Sequence, residues 1–330
     1  MKKILFLAMA AAAMAGCSQN EEIENAGQKA EIEFGTVVKA GTKAVITTND
    51  NFDKFTVRGY KTSDAMGPTV QLETGFIDNL ELEKSSGWKY TNTFYWPLTG
   101  KVQFFATSPA QSFNLPVGYP TFDYTIKGVA SQEDLLAANV IDQAKGAGAI
   151  ILPFQHLLTQ VNFTIKGATP DFTYTVSKLV IKGAKDKATF TFDGTATVGE
   201  WKNIVASVPA PEYVYQPEIA VSVAPTADEP DIEQKLETTG NALFMLMPQD
   251  LSGVTLDITY TAAPTANTTA YTYNDTKTIN LTGTWGMAQN IRYTLALTND
   301  ASPVEFGIPT VGGWENKAGT GETPVTSVSN

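Results

Sequence analysis

His156 is the chain's sole histidine, so any Ser-His-Asp or Cys-His relay would have to use it as the base. It stands on the polar side of an alternating stretch with no acidic neighbour in sequence, which favours a structural role. One histidine and one cysteine, Cys17, make neither a zinc site nor an intrachain disulfide. Carboxylates are plentiful: Glu81 and Glu83 alternate along one strand and face one side, as a glycosidase pair would, but a solvated face explains them better. Asp50, Asn51 and Asp53 offer oxygen ligands without the Gly and Glu spacing of a calcium loop, and read as turn chemistry. Gly183-Ala184-Lys185 lacks the spacing of a phosphate-cradling loop. Trp88, Tyr90, Tyr95 and Trp96 could stack on a sugar if exposed, yet large aromatics usually bury, so core packing is the better reading. No catalytic, cofactor or metal set emerges from these residues.

The chemistry with a sequence address is at the N-terminus. Lys2 and Lys3 precede an apolar run, Ile4 to Met14, too short to span a bilayer. The run ends in Met14-Ala15-Gly16-Cys17, which resembles a lipoprotein signal box with Met in place of the usual Leu. The expectation is a signal peptide over 1–16 and an acylated Cys17 that anchors the chain to a membrane without a spanning helix. A polar tether over 17–29 follows; its Ser18-Gln19-Asn20-Glu21-Glu22 stretch resembles the acidic surface-export signals of Bacteroidetes lipoproteins.

The chain has 23 basic and 34 acidic residues, and loses Lys2 and Lys3 with the signal, which leaves a net charge near −13. That opposes charge-driven binding to nucleic acid or anionic lipid. An apolar fraction of 43% is enough for real cores, and the length suits two domains, at 30–149 and 150–314, before a polar tail over 315–330.

The positioning elements are strands, set by period-2 alternation broken by Gly, Pro, Asn and Asp. Leu157, Thr159, Val161, Phe163 and Ile165 form one face, with His156, Gln160, Asn162, Thr164 and Lys166 on an opposite face expected to be wet. Val254 to Tyr260 and Ile291 to Leu297 repeat the pattern. Further strands are expected at Phe55–Tyr60, Lys101–Thr107, Ala188–Phe192 and Leu243–Met247, the last buried on both faces. Ser131-Gln132-Glu133-Asp134 resembles a capping box, which predicts a short helix over Leu135 to Asp142.

Several stretches resemble the Bacteroidetes fimbrillin family, the subunits of type V pili. They are Phe55 to Tyr60, Trp88-Lys89-Tyr90, Tyr95-Trp96-Pro97, Val102 to Pro109, Glu133-Asp134-Leu135-Leu136, Pro153 to Val161, Leu246-Met247-Pro248-Gln249, Trp285 through Tyr293, and Phe306 with Trp314. The set runs in order along nearly the whole chain. The resemblance implies an all-β chain of two transthyretin-like Greek-key β-sandwich domains. It implies a precursor whose N-terminal strand is cut away at the surface, so that a neighbour's C-terminal strand fills the groove.

Glu31 to Val38 suits the removable strand, with Ile32, Phe34 and Val38 on one face. The family's cut lies between an Arg and a small residue; Lys43-Ala44 holds that place here, so an enzyme that accepts Lys is required. Arg58, the nearest arginine, lies inside an expected strand. Val304, Phe306 and Ile308 alternate, ahead of Val311 and Trp314, and either close the second domain or serve as the donor strand.

The expected partners are other fimbrillin subunits in a homo- or heteropolymer and the outer membrane through the lipid anchor. The rival expectations are an unprocessed surface lipoprotein that binds a host glycan or protein, and, behind it, a carbohydrate-active enzyme with two close carboxylates.

Overall fold

A computed structural model of the chain describes residues 30–38, 51–73, 75–85, 87–194, 198–237, 243–265, 271–306 and 309–313. Thr, Val and aromatic residues at alternate positions make these segments fit pleated, half-buried surfaces, and strands dominate. The first eight are β1 (Phe34–Val38), β2 (Lys54–Thr62), β3 (Ile77–Lys84), β4 (Trp88–Lys89), β5 (Lys101–Ser108), β6 (Thr121–Thr125), β7 (Leu136–Gln143) and β8 (Ile150–His156). All but β6 form one sheet in the order β1-β8-β7-β5-β2-β3-β4. One face carries Phe55, Val57, Leu82, Phe104 and Phe154 into a core closed by Phe52, Trp88 and Trp96. The other face presents Tyr60, Phe105 and Ala137 to a second core.

The remaining strands are β9 (Thr159–Gly167), β10 (Phe172–Lys182), β11 (Lys187–Phe192), β12 (Gly199–Val205), β13 (Tyr213–Tyr215), β14 (Val221–Val223), β15 (Gln234–Lys235), β16 (Phe244–Leu246), β17 (Gln249–Asp250), β18 (Thr255–Pro264), β19 (Tyr273–Asn280), β20 (Thr284–Trp285), β21 (Gln289–Leu297), β22 (Glu305–Phe306) and β23 (Thr310–Gly313). One sheet is built on β10 and β18, another on β9 and β21, and Val161, Phe163, Ile165, Leu179, Ile181, Leu256 and Ile258 fill the space between them. This is a layered β-sandwich. A third small sheet, β12-β11-β6, joins the halves, because β6 comes from the first half and pairs with β11 from Lys187↔Thr125 to Thr191↔Thr121. Phe105 of the large sheet meets Phe192 of β11 edge-on at 5.1 Å.

Two expectations are corrected. Leu135 to Asp142 is not a helix: β7 runs through it, after a single 3-10 turn at Val129–Ser131. Leu135, Leu136, Ala137 and Ala138 are all fully buried, Leu135 and Ala137 in one core and Leu136 and Ala138 in the other, a two-sided burial that a strand gives and an amphipathic helix does not. The opposite face of β9 is not wet. Gln160, Asn162 and Thr164 are buried there; Asn162 donates to Asn290 Oδ1 at 3.0 Å and accepts the Leu243 N–H at 3.0 Å. Leu243–Met247 is buried throughout, on the edge of β9. Ile150–His156 pairs with β1 and β7 in the large sheet, and Leu157, the next residue, is buried in the second core.

Candidate assembly groove

β1 is an edge strand held from two sides. Its main chain runs parallel to β8, from Phe34↔Ile150 to Val38↔Phe154, and the Ile150 N–H donates to Glu33 O at 2.8 Å. Just upstream, the Ile32 N–H donates to Phe94 O at 2.8 Å and the Trp96 N–H to Ala30 O at 2.9 Å. The Tyr90 hydroxyl donates to Ile32 O at 3.0 Å. Alternation places Ile32 and Phe34 inside, both at 0% exposure. The Phe34 ring lies edge-on to Tyr90 at 5.9 Å and to Phe104 at 5.6 Å. Val38 ends the strand opposite Phe154. Burying two such side chains contributes roughly 1.5–3 kcal/mol each, and a strand at the sheet's end can leave without breaking any other pairing.

The C-terminal segment closes the second sandwich in this structure. Val304 is buried in its core, and β22 pairs antiparallel with β21 at Leu295↔Phe306 and Ala296↔Glu305. β23 pairs lower on β21, from Gln289↔Gly313 to Arg292↔Thr310, with Val311 exposed. The turn ahead of β22 is fastened by Lys277 Nζ, which donates to Asp300 O at 3.2 Å and Ser302 O at 3.1 Å. The Ser302 backbone N–H donates to Asp300 Oδ1 at 2.8 Å, and hydrogen bonding from Ser302 holds the Asp300 carboxyl below its usual range. Cys17, Lys43, Ala44 and Ile308 lie outside the described residues.

The other candidates resolve into structural contacts. His156 Nδ1 lies 2.8 Å from Asp134 Oδ2, both side chains 1% exposed. Asp134 escaped the sequence reading because it lies 22 residues away; the clue was that both residues belong to family-like stretches. Glu81 and Glu83 do share a side, and Lys54 from β2 pairs with both, at 2.7 and 3.4 Å. Gly183 (φ +76) forms a turn after β10 that Gln249 clasps, accepting from the Lys185 N–H at 2.8 Å and donating to Lys185 O at 3.1 Å. Asp53 accepts the Lys84 N–H through its backbone carbonyl at 2.7 Å, and Asp50 is outside the described residues.

Trp88, Tyr90 and Trp96 are buried at 3–7% exposure, while Tyr95 is 41% exposed. Arg58 is buried in β2 with its guanidinium 4.3 Å over the Phe113 ring. Among the described residues no three His, Cys, Asp or Glu side chains form a metal cluster, and no helix is long and apolar enough to cross a membrane. The groove walls Phe94 and Phe104 and the fastening residue Lys277 were not singled out by sequence reasoning, since their roles arise only when distant strands meet.

Among known proteins, the chain is 27% identical to the fimbrium subunit Fim1C of Phocaeicola vulgatus, in a match covering 58% of this chain and 60% of that protein's length. The solved structure of a fimbrial protein from Bacteroides vulgatus superposes with a TM-score of 0.54 at 20% identity, covering 86% of this chain and 99% of that one, and shares its fold. The fimbrillin-like family model matches residues 42–314, and the chain belongs to that family.

Proposed function

We propose that the protein is a structural subunit of a surface fimbrium, exported as a lipoprotein on Cys17 and assembled by strand exchange after a cut at Lys43-Ala44 removes β1. The observation that carries this reading is the placement of β1: an edge strand with Ile32 and Phe34 fully buried, followed at once by the residues that would be cut. Its departure leaves an apolar slot beside the unpaired edge of β8, which is a template for another strand. The same reading makes the chain up to His156 the accepting half and the chain from Leu157 the donating half. No residue performs chemistry on a substrate; the partners are further subunits and the outer membrane.

The unprocessed-adhesin reading calls for an aromatic patch on the surface, and of Trp88, Tyr90, Tyr95 and Trp96 only Tyr95 is exposed. The test is the N-terminal mass of the protein recovered from the cell surface. A chain beginning at Ala44, in ladders that resist mild denaturation, is the expected result. A monomer still beginning at acylated Cys17 would overturn the assembly reading.

A further inference from the structure

β19 ends its sheet: the order is β13-β10-β18-β19, and among the described residues no strand pairs with its outer side. Its eight residues, Tyr-Asn-Asp-Thr-Lys-Thr-Ile-Asn, hold neither Pro nor Gly, and its pairing with β18 runs without a bulge. Short length, proline and bulges are common means of closing an edge, and β19 has none of them. The Leu281 N–H donates to Val254 O at 2.9 Å. Counted back along the antiparallel ladder, Ile279, Lys277, Asp275 and Tyr273 turn their main chain to β18, while Asn274, Thr276 and Thr278 turn theirs outward. The Thr276 N–H agrees with this, since it donates to the neighbouring Asp275 Oδ1 at 2.8 Å.

We propose that β19 pairs with β19 of a second copy of this chain, antiparallel about a two-fold axis at Thr276, so that the two β13-β10-β18-β19 sheets become continuous. The order of residues is complementary to itself about that point. Asp275 comes opposite Lys277 of the second copy on both sides of the axis, and Tyr273 comes opposite its Ile279. These are the pairs with no backbone bonds between them, where side chains approach most closely. Thr276 meets Thr276, and Asn274 meets Thr278, through the outward main-chain groups. Tyr273, Lys277 and Ile279 are only half-buried in one copy, and a second strand alongside covers them further.

Charge selects the register. Outward backbone groups must meet outward ones, so the axis has to pass through a residue of the strand. Moved to Asp275, it sets that carboxylate against its own copy, and moved to Lys277 it does the same for the ammonium. At Thr276, two carboxylates and two ammoniums alternate around it instead. Lys277 is already held in place: Nζ lies 3.4 Å from Asp275 Oδ2 of its own chain and 5.2 Å over the Tyr273 ring, and donates to Asp300 O and Ser302 O. When the Thr276 N–H turns to the Thr276 carbonyl of the second copy, Asp275 is released to that copy's Lys277. The surface is separate from β1, β22 and β23, so the pairing does not depend on strand exchange. Within a fimbrium it would join subunits side by side.

The test uses the full chain with Cys17→Ser, which leaves no other thiol. Three variants each add one thiol on the exposed side of β19: Asn274→Cys, Thr276→Cys and Thr278→Cys. On the axis the two 276 Cα atoms are about 5.5 Å apart, within disulfide reach. The 274 and 278 positions each lie roughly 14 Å from their own copies. Under mild oxidation Thr276→Cys should give a disulfide-linked dimer about tenfold faster than either other variant. Equal rates at the three positions, faster linking at 274 or 278, or a dimer that does not link at 276 overturns the proposal. So does a chain that sediments as a monomer and links at none of them. None of these results bears on the fate of β1, which is read from the N-terminal mass.

Charge reversal gives an independent readout. Asp275→Lys and Lys277→Glu each set like charges together, so each variant alone should dimerise about tenfold more weakly or worse. Mixed, the two variants bring opposite charges together at both sites, and the mixture should regain the dimer of the parent chain. Lys277→Glu also loosens the turn at Asp300 and Ser302, and a merely structural loss would not be recovered by mixing. A dimer unaffected by Asp275→Lys, or no recovery in the mixture, overturns the proposal.

Discussion

Asp134 Oδ2 and His156 Nδ1 meet 2.8 Å apart, with both side chains shut away from solvent, where the chain leaves the first sheet for the second sandwich. Leu136 pairs with His156 across the same two strands, and the Leu157 N–H donates to Leu135 O at 2.8 Å. A side-chain contact and backbone contacts therefore pin the crossing together.

Breaking this pair should be costly, because it removes a contact between two polar side chains that are both buried away from water. Asp134→Ala and His156→Ala should each destabilise the chain by about 1–3 kcal/mol, the cost of losing a buried hydrogen-bond partner. The double variant should cost much less than the two together. Urea denaturation of the four chains checks this, and additive losses would show that the two residues act independently.

Alkaline pH should weaken the fold through its buried tyrosines. Burial pushes the Tyr60 hydroxyl up to about 12, against a smaller downward pull from Arg58, and pushes Tyr124 and Tyr213 up as well. In the unfolded chain these groups ionise near 10. Their contribution is thus complete below about pH 10 and is lost as pH rises towards the folded value, at about 1.4 kcal/mol per unit for each group. Denaturant midpoints at about pH 9 and pH 11 should differ, and Tyr60→Phe should shrink the difference; an unaltered slope would argue against Tyr60 as a contributor.

Gly183→Ala should be poorly tolerated. A Cβ there would lie 2.3 Å from the Gly253 carbonyl oxygen, and φ of +76 disfavours any side chain. A loss of about 2 kcal/mol or more is expected, measured as a lowered melting midpoint. Gly253→Ala makes a fair comparison: φ is +81 but nothing lies within 4 Å, so only the backbone strain remains.

Phe34→Ala should loosen β1 alone. Loss of the ring removes about 3–5 kcal/mol of local packing, and the amides of Ile32 and Ile150, which donate along this strand, should exchange faster with solvent. Amides of β10 and β18 should keep their protection. Uniform acceleration across both sandwiches would mean that β1 does not open separately.

Much of the sheet framework was legible in the sequence. Phe55–Tyr60 and Lys101–Thr107 lie within β2 and β5, and Val254, Leu256, Ile258 and Tyr260 all point inward. The misreadings share one cause, namely contacts made by residues far away in the chain. The helix signal at Ser131 to Asp134 was local, and burial of Leu135 to Ala138 on both sides overrode it. Gln160 and Asn162 look like a solvent face because the alternation is clean, yet Asn290 and the Leu243 amide, both more than eighty residues away, meet Asn162 there. Of the candidate site, Ile32 and Phe34 could be read from alternation, whereas Phe94 and Phe104 become groove walls only through pairing.

The pairing of β6 with β11 has a consequence for the order in which the molecule is made. As the chain emerges, Phe105, Phe122 and Leu135 appear well before Phe190 and Phe192, the side chains that share their core. The leading half on its own would carry an uncovered apolar face and an unpaired strand, the features that make partly synthesised chains aggregate. A fragment ending at His156 should therefore be insoluble, and the leading half should stay unfolded, or be held by a chaperone, until the Lys187–Phe192 strand has arrived.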